Sequence, residues 1–252
     1  MSRGYQYGFS SRGIAMYDIP ARERKARTMV AILEEFLPNP LHELDLLDIG
    51  ASTGIIDNYL SRYFGQVVGI DIDTQAIAHA QKTFHRGNLK FQTGDALDLP
   101  FAEERFDVVI CAHVYEHVPD ARRMFVEILR VLKPAGVCYF AGGNRLMLNE
   151  PHYHLPLLSV VPRPLAHIYM RLAGKGTHYY ERHLSYWGLK SLVKQFARFD
   201  YTVATVSEPQ KYYTDYMITP HGIKQKIALA VLCYFYWASP GYIWLLQKTA
   251  ER

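Results

Sequence analysis

The chain has 252 residues, of which 49% are apolar and 21% charged, and it carries a formal net charge of +4. That length fits one large α/β domain or a domain with an insert, and the composition excludes both a disordered chain and a polytopic membrane protein. Lys and Arg are spread along the sequence instead of forming a stripe with interleaved aromatics, so nucleic acid is not an implied partner. Cys111, Cys138 and Cys233 show no C-x-x-C spacing and read as buried small hydrophobes in a reducing compartment. The first 25 residues contain no apolar run of the signal-peptide kind, so a cytoplasmic location is expected.

Residues 1–40 read as a Gly-, Ser- and Tyr-rich arm followed by a helix. The helix starts at Asp18 and Pro20 and is stopped by Pro38 and Pro40. From Asp45 the pattern alternates: strand 45–49, helix 54–64, strand 66–71, helix 74–84, strand 88–92, strand 106–111, helix 120–132 and strand 136–141. Continuous apolar runs such as DVVIC and VCYFA suit strands covered on both faces, the signature of a parallel sheet. A helix over 186–198 and a strand over 200–206 complete the expected core.

Two regions depart from this alternation. Residues 142–186 hold four prolines and five of the 11 histidines, and they are expected to form a helical lid or substrate wall after the fifth strand. The tail from Ile227 to Leu246 has no charge over twenty residues, but Ser239-Pro240-Gly241 interrupts it. The expectation over 220–246 is therefore an apolar helix and a final strand that closes the sheet, with peripheral membrane association as a further possibility.

Asp48, Asp71 and Asp95 each end an apolar strand and recur at gaps of 23 and 24 residues, about one strand plus one helix plus two loops. Ligands in parallel sheets bind outside the carboxyl ends of the strands, where all three aspartates fall. Gly50 and Gly54 bracket the turn after the first strand, which lets backbone approach a ligand and offers N–H groups to an anionic group. The loop Gly50-Ala51-Ser52-Thr53-Gly54 fits the dinucleotide fingerprint G-x-G-x-x-G poorly. At the strand ends, Asp71 suits both hydroxyls of a ribose, while Asp95 and the Ala96 N–H suit the amine and a ring nitrogen of adenine.

The segments LLDIGASTG, VVGIDID, GDALDLPFAEERFDVVICAHVYEHVPD and LRVLKPAGVCYFAG resemble a class I S-adenosylmethionine-dependent methyltransferase over roughly residues 45–142. The resemblance implies a doubly wound, mostly parallel seven-stranded sheet with helices on both faces. S-adenosylmethionine is the implied cofactor and S-adenosylhomocysteine its product. Gly50, Ala51, Ser52 and Gly54 would hold the methionine part, Asp71 the ribose, and Asp95 with Ala96 the adenine. Ile72 would pack on the adenine face, Cys111 to His113 would line the methionine side, and Asp48 would support the loop and the amino group. Ser52 stands where the family usually has glycine, which predicts a slightly tighter loop.

Methyl transfer from a sulfonium needs alignment first and a general base only where the acceptor must lose a proton. His152 and His154 are the candidate bases because they follow the fifth strand, with Tyr153 and Glu181 as weaker alternatives and His117 read as structural. No third ligand at fixed spacing accompanies the two histidines, so no metal is expected. The expected acceptor is a small or lipid-linked molecule, modified at oxygen or carbon. An NAD-dependent reductase or epimerase and a non-catalytic membrane-surface partner protein are the competing readings.

Overall fold

The computed structural model describes residues 6–10 and 14–249. Seven strands form one sheet: β1 (Asp45–Ile49), β2 (Gln66–Asp71), β3 (Leu89–Thr93), β4 (Phe106–Ala112), β5 (Leu132–Gly143), β8 (Phe196–Asp200) and β9 (Gly241–Lys248). Their order is β3-β2-β1-β4-β5-β9-β8, and β9 alone runs antiparallel to its neighbours. The expected seven-stranded, mostly parallel sheet is therefore present.

Alternation along each strand explains the continuous apolar runs. Leu46, Val108, Ile110, Val137 and Tyr139 pack on one face with α1 (Ile19–Phe36), α2 (Ile55–Leu60) and α3 (Thr74–Thr83). Leu47, Val109, Cys111, Cys138 and Phe140 pack on the other with α4 (Ala121–Val131) and α6 (Tyr186–Leu192). Helix starts follow local chemistry. Asp18, Asp73, Asp120 and Ser185 each accept a backbone N–H in the first turn of α1, α3, α4 and α6.

Three expectations are corrected. The segment 200–206 is not a strand: α7 occupies Thr202–Ser207, and the helix expected over 186–198 ends at Leu192. The edge place next to β9 is already taken by Phe196–Asp200, and the Asp200 carboxylate then accepts the Thr202 N–H at 2.9 Å and turns the chain into a helix. Here packing overrides the β-propensity of Thr and Val. Cys233 is exposed, unlike Cys111 and Cys138, because it lies on the outer side of α8 (Ile223–Tyr234).

Residues 144–185 contain α5 (Arg163–Leu172) and a short antiparallel ladder of β6 (Asn149–Glu150) with β7 (Leu155–Pro156). This segment has its own apolar cluster of Leu155, Leu158, Ala166, Met170 and Tyr179. In the tail, Gln225 and Leu232 are the buried residues of α8, and β9 supplies the antiparallel strand between β5 and the edge strand β8.

Candidate functional site

Asp48, Asp71 and Asp95 lie at or just beyond the carboxyl ends of β1, β2 and β3, next to the point where strand order reverses between β1 and β4. The loop after β1 is held by backbone: the Gly50 and Ala51 N–H groups both donate to Ile70 O, at 2.8 and 2.9 Å. Gly50 (φ 84) and Gly54 (φ 76) are both left-handed, and a Cβ on Gly50 would meet Val114 at 2.7 Å. Ser52 also takes a left-handed φ of 52, a backbone conformation usual for glycine. Its N–H donates to Asp71 Oδ2 at 2.8 Å.

The electrostatics of this end are dominated by carboxylates. Burial pushes Asp48 well above the usual carboxylate range and the neighbouring Asp57 pushes it further. Burial likewise raises Asp57 to about 7. Asp71 is raised by burial and held back by the N–H groups of Asp73 and Ser52. The cation among them is one that sequence reasoning missed: Arg22 of α1 interacts with Asp48, Asp57 and Asp71. A set of buried carboxylates around a glycine-cradled loop fits a cofactor that carries positive sulfonium and ammonium groups.

On the adenine side, Ile72 is half-buried and Asp95 accepts the Leu97 N–H at 3.0 Å. Ala96 packs against the core of that face. Cys111 is buried at the end of β4, and burial raises its thiol well above the ordinary range, which suits a wall and not a nucleophile. His113 has a φ of 58 and donates its N–H to Ala141 O at 2.8 Å.

The arm before α1 lies on this loop. Thr53 Oγ1 donates to Met16 O at 2.6 Å, Met16 Sδ is 3.6 Å from Ser52 Oγ, and Ser10 donates its N–H and hydroxyl to Asp73 Oδ2. Gln6 donates to His117 O, and the Phe9 ring packs against both His117 and His152. No sequence periodicity marks these long-range contacts.

Past β4 and β5 the chain assembles a buried cluster of acids and imidazoles. Glu116 and Glu150 are 1% and 0% exposed, Glu181 3% and His183 8%. His152 Nδ1 is 2.6 Å from Glu150 Oε1, and His183 Nε2 is 3.6 Å from the same oxygen. His113 Nδ1 lies 3.4 Å from Glu116 Oε1, and His117 Nδ1 3.9 Å from Glu181 Oε1. Burial alone would raise both Glu116 and Glu150, yet the histidines beside them hold each at about 2. Burial raises Glu181 and lowers His117 to about 4. Burial works against the His152 cation, but Glu150 outweighs it and raises that imidazole.

The cluster joins elements that sequence spacing does not connect. Tyr115 Oη donates to Gly143 O at 2.5 Å and accepts the Leu184 N–H at 3.2 Å, which fixes the segment around His183 at the end of β5. The structure separates the two candidate bases. His152 faces the cluster, whereas His154 is exposed and donates its backbone N–H to Glu150 O at 2.8 Å.

Together, the strand order with one antiparallel strand and the glycine loop after β1 define a class I methyltransferase fold. Residues 47–140 match a family model described as a methyltransferase domain, and over that segment the chain is similar to class I S-adenosylmethionine-dependent methyltransferases. Among solved structures, the PH0226 protein of Pyrococcus horikoshii has a TM-score of 0.62 at 19% identity over 99% of this chain and 100% of that one. A SAM-dependent methyltransferase from Methanosarcina mazei has a TM-score of 0.55 at 20% identity over 87% of this chain and 98% of that one. Among sequence relatives, the ubiquinone biosynthesis O-methyltransferase of Psychrobacter cryohalolentis is 32% identical, covering 62% of this chain and 60% of that protein. The chain thus spans little more than half the length of the relatives it matches.

Proposed function

We propose that the protein is an S-adenosylmethionine-dependent methyltransferase acting on a small-molecule or lipid-linked acceptor by O- or C-methylation. The observation that carries this reading is the Gly50–Gly54 loop closed onto Asp71, with three acidic strand ends side by side and buried carboxylates behind them. S-adenosylmethionine, when bound, supplies a methyl group already activated by the sulfonium charge. The chain's own residues hold and orient. Asp71 takes the ribose, Asp95 and Ala96 the adenine, Ile72 its face, and Gly50, Ala51, Ser52 and Gly54 the methionine part. Asp48 supports the loop and the amino group, with Cys111 to His113 forming the wall beside it. Alignment of this kind is worth roughly 7–11 kcal/mol of the barrier.

On the acceptor side, residues 142–186 form the wall, and His152 is the base for an acceptor that must lose a proton. His154 belongs to the same proposal as a weaker partner. The O-methyltransferase names of the sequence relatives favour oxygen over carbon as the acceptor atom. The test is calorimetric binding of S-adenosylhomocysteine, followed by methyl transfer from labelled S-adenosylmethionine to a panel of hydroxylated small molecules and lipid extracts. Binding of NAD without S-adenosylhomocysteine would overturn the reading in favour of the reductase class.

A second reading concerns place. Among the described residues no helix is long and apolar enough to cross a membrane. Ile223, Ile227, Val231 and Tyr234 are nevertheless exposed at helical spacing along α8, beside Lys224 and Lys226. This stripe supports a cytoplasmic protein that rests on an anionic membrane surface. Cosedimentation with anionic vesicles that Ile227→Asp abolishes is the expected result, and equal recovery of both proteins in the supernatant would refute it.

A further inference from the structure

We infer that Glu150, His152 and His183 form a binding site for a divalent transition metal of the zinc class. One ligand atom from each, a carboxylate oxygen and two ring nitrogens, lies within 4.8 Å of the others. A tetrahedral site with metal–ligand bonds of about 2.0–2.1 Å places its ligand atoms about 3.3–3.5 Å apart. The His183 Nε2 to Glu150 Oε1 distance of 3.6 Å is slightly longer than this spacing, and the 2.6 Å contact of His152 Nδ1 opens to it by a side-chain movement of under about 1 Å.

Two further observations point to a cation. The His183 side chain is 1% exposed, and neither of its ring nitrogens has a hydrogen-bond partner among the described residues. An imidazole stripped of water without a partner is costly, and ligation removes that cost. The carboxylates are also offset by imidazoles alone: among the described residues the ion-pair partners of Glu116, Glu150 and Glu181 are histidines, and both Glu116 oxygens lack hydrogen bonds.

The support around the ligands is built in. The His152 and Tyr153 N–H groups both donate to Glu150 Oε2 at 2.9 Å, which fixes that carboxylate with Oε1 toward the imidazoles. Three protein ligands leave a fourth position for water or an oxygen donor, the arrangement of sites that act on what they bind. Two imidazoles and one carboxylate select zinc, cobalt or nickel over magnesium. A metal held here takes up the His152 imidazole as a ligand, so that the metal, and not that imidazole, would then polarise an acceptor hydroxyl; occupancy is independent of the methyltransferase reading, and only that use rests on it.

The experiment is titration of the metal-free 252-residue chain with Co2+, followed by visible absorption, with no cofactor present. One equivalent is expected to bind with a tetrahedral ligand-field spectrum, excess Mg2+ leaving it in place and azide shifting it through the open position. His183→Gln and Glu150→Gln should each weaken binding at least tenfold, and His178→Ala should leave it unchanged. Circular dichroism of the metal-free variants checks folding. If His183→Gln is unfolded, His152→Gln, at the more open side of the cluster, carries the same test. Absence of a ligand-field spectrum, displacement by Mg2+, unchanged affinity in the folded variants or loss of binding in His178→Ala each overturns the site. Binding of S-adenosylhomocysteine, measured separately, keeps this outcome distinct from that of the proposed function.

Discussion

Asp71 anchors Ser52: its Oδ2 accepts the Ser52 backbone N–H at 2.8 Å while its Oδ1 accepts the Asp73 N–H at 2.9 Å. One carboxylate at the end of β2 thus holds the glycine loop from one side and the start of α3 from the other. Asp71→Asn offers one acceptor where two are needed and sets an amide N–H against a backbone N–H. With hydrogen bonds to a charged group worth about 1.5–3 kcal/mol, S-adenosylhomocysteine binding is expected to weaken by roughly ten- to a hundredfold. Isothermal titration calorimetry of the two proteins measures it, and affinities within threefold of each other would refute the role.

Ser52 holds a φ of 52, which costs an L-residue about 1–2 kcal/mol, part of which glycine gives back as chain entropy. Ser52→Gly is therefore expected to stabilise the protein by about 0.5–1 kcal/mol, while Ser52→Val should lower the urea midpoint markedly. A lower midpoint for the glycine variant would contradict the strain argument.

At Gly54 the left-handed φ of 76 is joined by crowding, since a Cβ there would lie 2.6 Å from the Phe91 ring and 2.7 Å from Ala80. Backbone strain and overpacking together predict a loss of about 2–4 kcal/mol for Gly54→Ala. Urea denaturation checks this directly, and the cofactor loop should lose its ligand affinity in the same variant.

Burial raises Asp57 from 3.8 to about 7, and neither of its carboxylate oxygens has a hydrogen-bond partner among the described residues. The folded state therefore binds a proton more tightly than the unfolded chain. By linkage, stability is full below the unfolded pKa and falls as pH rises through the window from 3.8 to about 7. Asp57→Asn should flatten that fall, so that its melting temperature exceeds that of the wild type at pH 8 by more than at pH 5. Parallel pH profiles for the two proteins would remove Asp57 as the source.

The two histidines after β5 are expected to part company. His152 sits against Glu150 inside the cluster, whereas His154 is exposed. His152→Ala should lower kcat at least tenfold and His154→Ala should stay within about twofold, general acid–base contributions being typically 10²–10⁴-fold. Steady-state rates with the acceptor found by screening decide it.

What could be read from the sequence was what lies close in the chain. Asp48, Asp71 and Asp95 announce themselves because each ends a run of apolar residues, and the sheet follows from repeating that unit. The acid–imidazole cluster stayed hidden because Glu116, Glu150 and His183 come from widely separated segments, joined by contacts such as Tyr115 to Gly143 and Leu184. Spacing rules find ligands on one helix or one loop, and the third ligand here comes from another segment altogether. Arg22 and Met16 escaped for the same reason, as did α7, whose Thr and Val pattern reads as a strand until the neighbouring edge is known to be filled.

The cluster of Leu155, Leu158, Ala166, Met170 and Tyr179 is separate from the two apolar layers that flank the sheet. A segment whose apolar contacts are mostly its own opens at lower free energy than the strands beneath it. The segment 155–179 and the sheet that carries Asp48 and Asp71 are thus expected to open as separate units. Amide exchange over 155–179 should run ahead of exchange in β1, β4 and β5, and under the proposed function substitutions in this segment would change acceptor preference while the sheet stays intact.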